Sequence, residues 1–294
     1  GFPRRPGLPL LRALGRAAAA PAACLRIIER RRPDVVLGAG GYVAGPMVLA
    51  ARLRGVPAAL TEADAHLGLA NRLALPFARR MFLAYPVEHM TAKMHVVGRP
   101  IPASSRSVSR DEARRTFDLP VDGPLVLVFG GSQGAATLNE TALVAWAASG
   151  PRVLHLTGER DFDALRGRVA RDDYRLLPFV DDFGAALGAA DVVVARAGGS
   201  VWEVAAAGIP AVLVPYPHAT ADHQRANARY FVDAGGALLV SDSDAPVRVP
   251  PLVEELLADD DRRARMADAM RAAAKPDAAE RIADELVELA AARR

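Results

Sequence analysis

Short apolar runs alternate with longer segments of helical periodicity along the whole chain. The strands predicted for the first half are residues 35–37, 58–61, 81–84 and 96–97, and the helices between them are residues 44–53 and 67–78. The strands predicted for the second half are residues 125–129, 152–156, 174–177, 191–195, 210–214 and 237–240. Regular alternation of strands and helices favours parallel sheets with helices on their faces. The pattern therefore predicts an α/β protein.

The two halves differ in completeness. The strands of the second half, with the helices between them, are enough for a complete doubly wound domain, whereas those of the first half are too few for one. We therefore expect the sequence to lack roughly the first half of its N-terminal domain. Residues 98–106 are rich in proline and serine, and this composition predicts a linker between two domains.

Polar side chains concentrate where predicted strands of the second half end. The loop Arg196-Ala-Gly-Gly-Ser200 leads from one strand into a short helix that carries Glu203 in its first turn. Ligands of parallel α/β sheets bind at the carboxyl ends of strands, and free N–H groups at a helix N-terminus suit a phosphate. A carboxylate such as Glu203 accepts hydrogen bonds from ribose hydroxyls. The segment predicts a nucleotide-diphosphate pocket; the alternative is that Glu203 only stabilises the helix dipole.

A second glycine loop points to the same pocket. Gly130-Gly-Ser-Gln-Gly134 turns from the strand at residues 125–129 into a predicted helix at residues 135–147. Glycine lets the backbone approach a ligand closely, and Ser132 adds a hydroxyl donor. Taken alone, the loop is as typical of a tight structural turn as of a binding loop. Together with the segment around Glu203, and with the polar residues 215–224 that end in Gln224 after the strand at residues 210–214, it favours ligand binding.

Composition narrows the class of protein. The chain has 294 residues, 51% of them apolar, and a single cysteine, so it has material for an ordinary core but none for an internal disulfide. No uninterrupted apolar run reaches the roughly 18 residues that predict a transmembrane helix. The net charge is +3, only 5% of residues are aromatic, and no nucleic-acid-binding motif is present. We therefore expect no nucleic acid as a partner.

Basic residues concentrate near the beginning of the chain and are interleaved with leucine and isoleucine. They are Arg4, Arg5, Arg12, Arg16, Arg26, Arg30, Arg31 and Arg32. This pattern suits an anionic membrane surface. It suits equally a helix packed on its own domain with a solvated basic face, and both interpretations stay open.

Five motifs follow one another along the chain. They are Gly40-Gly-Tyr-Val-Ala-Gly-Pro46, Gly130-Gly-Ser-Gln-Gly-Ala135, Phe179-Val-Asp-Asp182, Glu203-Val-Ala-Ala-Ala-Gly-Ile-Pro210 and Val214-Pro-Tyr-Pro-His-Ala-Thr-Ala-Asp-His-Gln224. In this order they resemble the MurG family of N-acetylglucosaminyltransferases, glycosyltransferase family 28. An ordered set covering essentially the whole chain is far more specific than any one motif.

The resemblance implies a GT-B fold of two Rossmann-like domains, the first of them truncated here. It implies an inverting transfer of N-acetylglucosamine from UDP-N-acetylglucosamine to the C4 hydroxyl of an undecaprenyl-diphospho-muramoyl-pentapeptide, from lipid I to lipid II, without a metal or another cofactor. Residues 103–275 would bind the donor. Residues 1–102 would face the acceptor at the cytoplasmic face of the bacterial membrane, and a helix at residues 276–294 would cross back to them.

The resemblance also assigns a donor site. The backbone of Val180 would pair with uracil, and Glu203 would bind the ribose hydroxyls. Ser132 and its loop would hold the diphosphate, where preorganised donors can replace a metal ion. Gln224 would contact the sugar. The remaining predicted donor residues are Gly131, Gly134, Gly199, Ser200, His223 and Arg99.

The acceptor side is assigned to Tyr42, Asp64 and Asn71 on the same basis. Glu62 is the candidate general base, because removing the proton of a sugar hydroxyl needs a carboxylate or a histidine within reach. A structural acid at the end of a strand is the open alternative for Glu62.

The chain departs from the family pattern mainly on the acceptor side. The family's N-terminal glycine loop ending in histidine is absent, and its His-Glu-Gln-Asn segment reads Thr61-Glu-Ala-Asp64. The linker arginine is replaced by Pro102, with Arg99 as a candidate substitute. The loop from Arg196 to Glu203 is one residue shorter than usual.

Two other functions stay open. The altered Thr61-Glu-Ala-Asp64 segment is compatible with a GT-B glycosyltransferase that uses a different lipid acceptor. The missing loop is compatible with a non-catalytic fragment that binds a UDP-sugar, and we expect this chain by itself to be poorly active.

Overall fold

A computed structural model describes residues 8–105 and 108–293, with the side chains of residues 8–19 and of Tyr42 outside the description. The predicted basic residues Arg4 and Arg5 therefore lie outside the described residues, as do the side chains of Arg12 and Arg16. The chain divides into two units. The first unit comprises Gly1–Arg99 and Asp277–Arg294, and the second comprises Pro100–Pro276.

The first unit contains a four-stranded parallel sheet in the order β1-β2-β3-β4. Its elements up to the boundary are α1 (Leu8–Arg31), β1 (Val36–Gly38), α2 (Gly41–Leu53), β2 (Ala58–Glu62), α3 (Leu69–Ala74), β3 (Arg80–Leu83) and β4 (Met94–Val96). The register aligns Leu60 with Met81 and Phe82 with His95. The strands predicted for this half are confirmed, with small differences at their ends.

Alternate residues of the first sheet serve two separate cores, as the period of a strand requires. Leu60 and Met81 are fully buried in the cluster that also holds Cys24 of α1 and Val48 of α2. Ala59 and Phe82 belong to the opposite cluster, together with Val97 and Ile282. Ile282 lies on the last helix, Ala278–Ala291, which is thereby fixed to the first unit. Glu285 on that helix accepts hydrogen bonds from Arg80 and His95.

One predicted helix is much shorter than expected. The sequence predicted a helix over residues 67–78, but α3 ends at Ala74 and a 3-10 turn, Leu75–Phe77, follows it. Pro76 in that turn has no N–H group, so it cannot continue the hydrogen bonds of the α-helix. At the other end, the backbone N–H of Gly68 donates to Glu62 at 2.9 Å, which holds this segment as a loop.

The second unit contains the elements between Pro100 and Pro276. They are α4 (Arg110–Thr116), β5 (Leu125–Phe129), α5 (Ala136–Trp146), β6 (Arg152–Leu156), α6 (Glu159–Leu165), β7 (Tyr174–Leu177), α7 (Phe183–Ala189), β8 (Val192–Ala195), α8 (Val201–Ala207), β9 (Ala211–Leu213), α9 (His223–Asp233), β10 (Ala237–Leu239), α10 (Ala245–Ala258) and α11 (Asp260–Ala273). The last helix of the chain, Ala278–Ala291, is α12. Further 3-10 turns are Ala103–Ser105, Arg166–Arg168 and Thr220–Asp222.

The sheet of the second unit is parallel and doubly wound. Its strand order is β10-β9-β8-β5-β6-β7, and it confirms the six predicted strands with ends shifted by at most one residue. The chain runs outward from β5 to β7 on one side, then returns to β8 and runs outward on the other. The loops after β5 and β8 therefore diverge and leave a crevice between them, which is where such sheets bind ligands.

Buried aliphatic side chains fill the space around this sheet. Val126 and Val194 belong to one cluster with Leu138 and Trp146 of α5 and Val253 of α10. Each of these side chains is at most 1% exposed. The closely packed core fixes the carboxyl ends of β5 and β8, and with them the loops that carry the predicted donor residues.

Candidate functional site

The loop between β5 and α5 presents backbone N–H groups at one side of the crevice. Gly131 and Gly134 have φ angles of 88° and 72°, and the N–H of Gly134 donates to the carbonyl of Gly131 at 2.9 Å. The following helix has no side-chain cap and no acidic residue in its first turn. Its first N–H groups are therefore available to an anion. Ser132 is exposed in the same loop.

The back of this loop packs tightly on the end of β6. A Cβ atom at Gly134 would lie 2.2 Å from the carbonyl oxygen of Thr157, and one at Gly158 would lie 2.3 Å from the nitrogen of Gly134. No side chain fits between backbones this close, so glycine is required at both positions.

A cavity of about 490 Å³ opens beside the loop. Its walls include Gly130, Gly134, Thr137, Arg160, Arg196 and Gln224. The structure thus brings together two of the predicted elements, the first glycine loop and Gln224. The cavity walls do not include the other predicted donor residues of the second unit, which are Ser132, Gly131, Val180, Gly199, Ser200, Glu203 and His223.

Arg196 is a polar wall residue that the sequence analysis did not assign to the site. It follows β8 directly, is 8% exposed, and forms an ion pair with Asp242 at 2.5 Å. Its guanidinium also donates to the carbonyls of Val214 and Pro215 at 3.2 and 3.1 Å. A buried cation needs such partners. An arginine directly after a buried apolar strand was the available signal.

Gln224 lies at the start of α9 with one end of its amide already engaged. Its Oε1 accepts a hydrogen bond from the backbone N–H of Tyr216 at 2.8 Å. This contact orients the Nε2 group, which has no hydrogen-bond partner within the described part of the chain. The amide therefore offers two N–H donors to a ligand in the cavity.

His223 precedes Gln224 and is held by the turn before α9. Its Nδ1 donates to the carbonyl of Thr220 at 2.8 Å, so Nε2 is left as an acceptor. Ala221 and Asp222 both have φ angles of 52°, a left-handed conformation that is uncommon outside glycine. Strain of this kind clusters at functional sites.

Glu203 is half-buried in the first turn of α8, as the sequence predicted. Its Oε1 accepts a hydrogen bond from the hydroxyl of Ser105, a buried residue outside the predicted site. Oε2 has no hydrogen-bond partner among the described residues. The contact therefore fixes the carboxylate while leaving one oxygen for a ligand.

The backbone of Val180 is available for pairing, as the assignment to uracil requires. Within residues 108–293, neither its N–H nor its carbonyl forms a hydrogen bond. The neighbouring side chain of Phe179 is 54% exposed. Asp182, two residues further on, is engaged instead as the cap of α7 and accepts from the N–H of Ala185 at 2.8 Å.

The loop after β2, which carries the predicted acceptor residue Asp64 and leads to Asn71 in α3, is braced by Glu62. Its Oε2 accepts from the N–H of Gly68 and from Nδ2 of Asn71, both at 2.9 Å, and Oε1 accepts from the N–H of Ala63 at 3.1 Å. Asn71 is 3% exposed and also donates to the carbonyl of Thr61. These contacts support the structural alternative for Glu62, and the acceptor contact of Asn71 stays a prediction.

The remaining predicted residues lie in α2, in the loop after β2, at the end of the first unit and in the turn into α8. Tyr42 lies in the first turn of α2, and its side chain is outside the described part of the structure. Asp64 is half-buried in the loop after β2. Arg99 is half-buried at the end of the first unit. Gly199 and Ser200 form the turn into α8, where the hydroxyl of Ser200 makes no capping hydrogen bond.

The described residues contain neither a cluster of metal-ligating side chains nor a membrane-spanning helix. Within residues 8–105 and 108–293, no group of three or more His, Cys, Asp and Glu side chains could hold a metal ion. None of the helices in these ranges has both the length and the hydropathy needed to cross a membrane.

Comparison with known proteins identifies the family. The model of the glycosyltransferase family 28 C-terminal domain matches residues 125–282, and that of the N-terminal domain matches residues 1–83. The UDP-N-acetylglucosamine–N-acetylmuramyl-(pentapeptide) pyrophosphoryl-undecaprenol N-acetylglucosamine transferase of Halorhodospira halophila is 43% identical, over 92% of this chain and 76% of that protein. The protein of the same name from Salinibacter ruber is 41% identical, over 90% and 74%.

Solved structures agree with the sequence comparison. The crystal structure of Acinetobacter baumannii MurG has a TM-score of 0.77 and 30% identity, over 97% of this chain and 82% of that one. A UDP-GlcNAc 2-epimerase from Neisseria meningitidis has a TM-score of 0.64 but only 14% identity, which shows a shared fold alone. The family models and the relatives above 40% identity together show that the chain belongs to glycosyltransferase family 28 and has the GT-B fold.

Proposed function

We propose that this glycosyltransferase moves N-acetylglucosamine from UDP-N-acetylglucosamine to an undecaprenyl-diphospho-muramoyl-pentapeptide, the conversion of lipid I to lipid II in peptidoglycan synthesis. One observation carries the proposal. The Gly130–Gly134 loop and Gln224 meet at one cavity, in a chain that is 43% identical to an enzyme named for this reaction. We assign the donor to the second unit and the acceptor to the first.

The diphosphate of the donor is placed against the Gly130–Gly134 loop. When the bond between C1 of the sugar and the diphosphate oxygen breaks, negative charge grows on UDP. The N–H groups of the loop and of the first turn of α5 stabilise this negative charge. Groups that are already oriented need no rearrangement during the reaction, which makes this kind of electrostatic stabilisation effective.

The nucleoside is placed by Glu203 and Val180. The free Oε2 of Glu203 accepts hydrogen bonds from the ribose hydroxyls, while Ser105 holds Oε1. The unpaired backbone N–H and carbonyl of Val180 match the donor and acceptor groups of uracil. Phe179, exposed beside Val180, offers a ring on which the base can stack.

The sugar is placed by Gln224 and His223. The two N–H donors of Gln224 face hydroxyl oxygens, and Nε2 of His223 accepts from a hydroxyl. The acceptor hydroxyl then attacks C1 from the face opposite to UDP, so the configuration at C1 inverts. The proton of the acceptor hydroxyl passes to a general base, and Glu62 is the residue that we predict for this role. The contacts of Glu62 support a second role, in which it shapes the loop that carries Asp64.

We place the enzyme at the cytoplasmic face of the membrane as a peripheral protein. Its acceptor carries a polyprenyl chain that stays in the bilayer. In the first unit, Leu69 and Leu73 of α3 are 69% and 67% exposed, and an apolar groove lies between α2 and α3. Exposed arginines at the end of α1, Arg30 and Arg31, suit anionic headgroups.

A transfer assay tests the proposal. The chain is incubated with UDP-N-acetylglucosamine and either the lipid-linked muramoyl-pentapeptide or diacylglycerol, and glycosylated lipid is separated by chromatography. We expect product only with the muramoyl acceptor. Product only with diacylglycerol would contradict the proposed acceptor, and donor binding without any product would support a UDP-sugar-binding fragment.

A further inference from the structure

Arg160 is a charged wall residue of the donor cavity whose role neither the glycine loops nor the sequence motifs explain. It lies in the first turn of α6, on the side of the cavity formed by the end of β6. Arg160 and Arg196 are both wall residues. Arg196 is only 8% exposed, and its guanidinium is occupied by Asp242 and by backbone carbonyls. The side chain of Arg160 is 60% exposed, so a ligand can reach it.

The guanidinium of Arg160 is held in place by Asp161. Nε donates to Oδ1 at 2.8 Å and Nη2 donates to Oδ2 at 3.0 Å, which is a two-point contact. Such pairs fix the plane of the guanidinium as well as its position. Nη1 has no hydrogen-bond partner within the described residues and stays available. The hydrogen bond from Arg160 lowers the pKa of the Asp161 carboxyl, so the acid remains charged.

Asp161 is fixed in turn by a chain of buried polar groups. Nδ2 of Asn139 donates to Oδ2 of Asp161 at 3.1 Å and to the carbonyl of Thr157 at 3.0 Å. Both amide hydrogens of Asn139 are thereby used, and only its Oδ1 is left, as an acceptor. The Nε2 of His155 lies 3.0 Å from this oxygen and must donate to it.

The direction of these hydrogen bonds selects one tautomer of His155. Because Nε2 carries the hydrogen, Nδ1 is an acceptor and receives the hydroxyl hydrogen of Tyr174 at 2.9 Å. Burial lowers the pKa of His155 to about 3, so the ring stays neutral and the tautomer is stable. Every donor therefore points from the core towards Asp161 and Thr157.

The end of this chain is also the surface on which the glycine loop rests. A Cβ atom at Gly134 would lie 2.2 Å from the carbonyl oxygen of Thr157 and 3.3 Å from Oδ2 of Asp161. The groups that orient Arg160 are thus the groups that position the Gly130–Gly134 loop. The guanidinium and the loop N–H groups approach one ligand from a common, rigid support.

We propose that Arg160 binds the diphosphate of the donor through Nη1, and that Asp161, Asn139 and His155 are positioning residues for it. The inference rests on the proposed function, because it concerns the same UDP-sugar. A diphosphate is doubly charged, and fixed cations beside it stabilise that charge. Arg160 is the ligand-accessible cation among the cavity walls, and its fixed orientation suits a phosphate oxygen.

Calorimetry with three ligands tests the role of Arg160. Arg160→Gln is titrated with UDP-N-acetylglucosamine, UDP and uridine, with Arg166→Gln as the matched control. Arg166 is an exposed arginine after the same helix, paired with Asp163 and outside the cavity walls. We expect Arg160→Gln to bind both diphosphates about tenfold more weakly, which corresponds to ~1.4 kcal/mol. Its affinity for uridine, and all affinities of the control, should not change.

The outcomes separate this inference from the proposed function. If the unaltered chain binds UDP-N-acetylglucosamine and Arg160→Gln binds it equally well, Arg160 has no role in binding the diphosphate. If the unaltered chain does not bind the donor, the proposed function fails first. Asp161→Asn keeps Arg160 but weakens its anchor, so a smaller loss confined to the two diphosphates is expected. A loss that extends equally to uridine would show a structural role instead.

Discussion

The hydroxyl of Ser105 donates a hydrogen bond to Oε1 of Glu203, although the two residues are 98 positions apart in the chain. Ser105 is 6% exposed, so water does not compete freely for this contact. Glu203 is therefore a carboxylate fixed before any ligand arrives, with Oε2 left to accept hydrogen bonds. Fixing the group in advance lowers the entropic cost of binding.

Glu203→Ala is expected to weaken binding of UDP-N-acetylglucosamine by at least about tenfold, because hydrogen bonds to a charged group contribute ~1.5–3 kcal/mol. Ser105→Ala should weaken binding less, since the carboxylate remains but is no longer fixed. Glu112→Ala, which removes an exposed acid from the first turn of α4, is the control. Calorimetry on each variant checks the order. An unchanged affinity in Glu203→Ala would rule out its contact with the ribose.

Gln224→Glu separates contact with the sugar from contact with the nucleotide. The substitution keeps an oxygen to accept from the N–H of Tyr216, but it removes both N–H donors of the amide. We expect affinity for UDP-N-acetylglucosamine to fall about fivefold, or ~1 kcal/mol. The new carboxylate repels the phosphates of either ligand, so affinity for UDP alone should also fall, but by a smaller factor. An equal loss for both ligands would place Gln224 on the nucleotide rather than on the sugar.

Gly134→Ala and Gly131→Ala cause the same kind of backbone strain, but only the methyl group at position 134 would clash with a neighbouring atom. Both glycines have a left-handed φ angle, but a Cβ atom at Gly134 would lie 2.2 Å from the carbonyl of Thr157, while one at Gly131 would meet nothing within 4 Å. We expect Gly134→Ala to reduce the free energy of unfolding by about 2 kcal/mol more than Gly131→Ala, because the loop must move away from β6. Urea unfolding curves give the difference. Equal losses of unfolding free energy would mean that the Gly130–Gly134 loop is not closely packed on the end of β6.

The free energy of unfolding should depend on pH because His155 is buried and neutral. Burial lowers its pKa from 6.5 to about 3, so below pH 6.5 the unfolded chain binds a proton that the folded chain does not. The free energy of unfolding therefore has its full value, as far as His155 is concerned, above pH 6.5 and decreases as the pH falls from 6.5 towards 3. The loss is about 1.4 kcal/mol per pH unit.

His155→Gln removes this titration, whereas His89→Gln removes an exposed histidine and serves as the control. The free energy of unfolding is measured in urea between about pH 7 and about pH 5. We expect a shallower slope in His155→Gln than in the original chain, whatever its overall stability, and an unchanged slope in the control. Identical slopes in all three proteins would contradict a buried, neutral His155.

The strands of the second unit were predictable because local sequence determines them. Runs such as Leu125–Phe129 are apolar throughout, as strands buried on both faces must be, and glycine follows directly. The helix predicted over residues 67–78 is shorter in the structure, because the contact between Glu62 and Gly68 holds its first residues as a loop and a 3-10 turn that contains Pro76 ends it. The contact between Glu62 and Gly68 joins a strand end to a loop, so the helical spacing of apolar residues does not reveal it.

The polar contacts of the site were less predictable than its loops. The glycine loops and Gln224 are recognisable from residue type and position after a strand. The partners of Arg196 and Asn139 come from distant parts of the chain, and only the folded sheet brings them together. Ser105 carried no sequence signal at all, because a serine in a proline-rich and serine-rich stretch is typical of a linker.

Titration of the chain with UDP-N-acetylglucosamine in a calorimeter, with UDP-glucose and ADP as controls, tests the central claim most directly. If the second unit holds a donor site for this UDP-sugar, UDP-N-acetylglucosamine binds with one site per chain. UDP-glucose binds more weakly and ADP does not bind. A folded sample that shows no heat with UDP-N-acetylglucosamine, or that binds ADP equally well, would contradict the donor site described for Glu203, Gln224 and the Gly130–Gly134 loop.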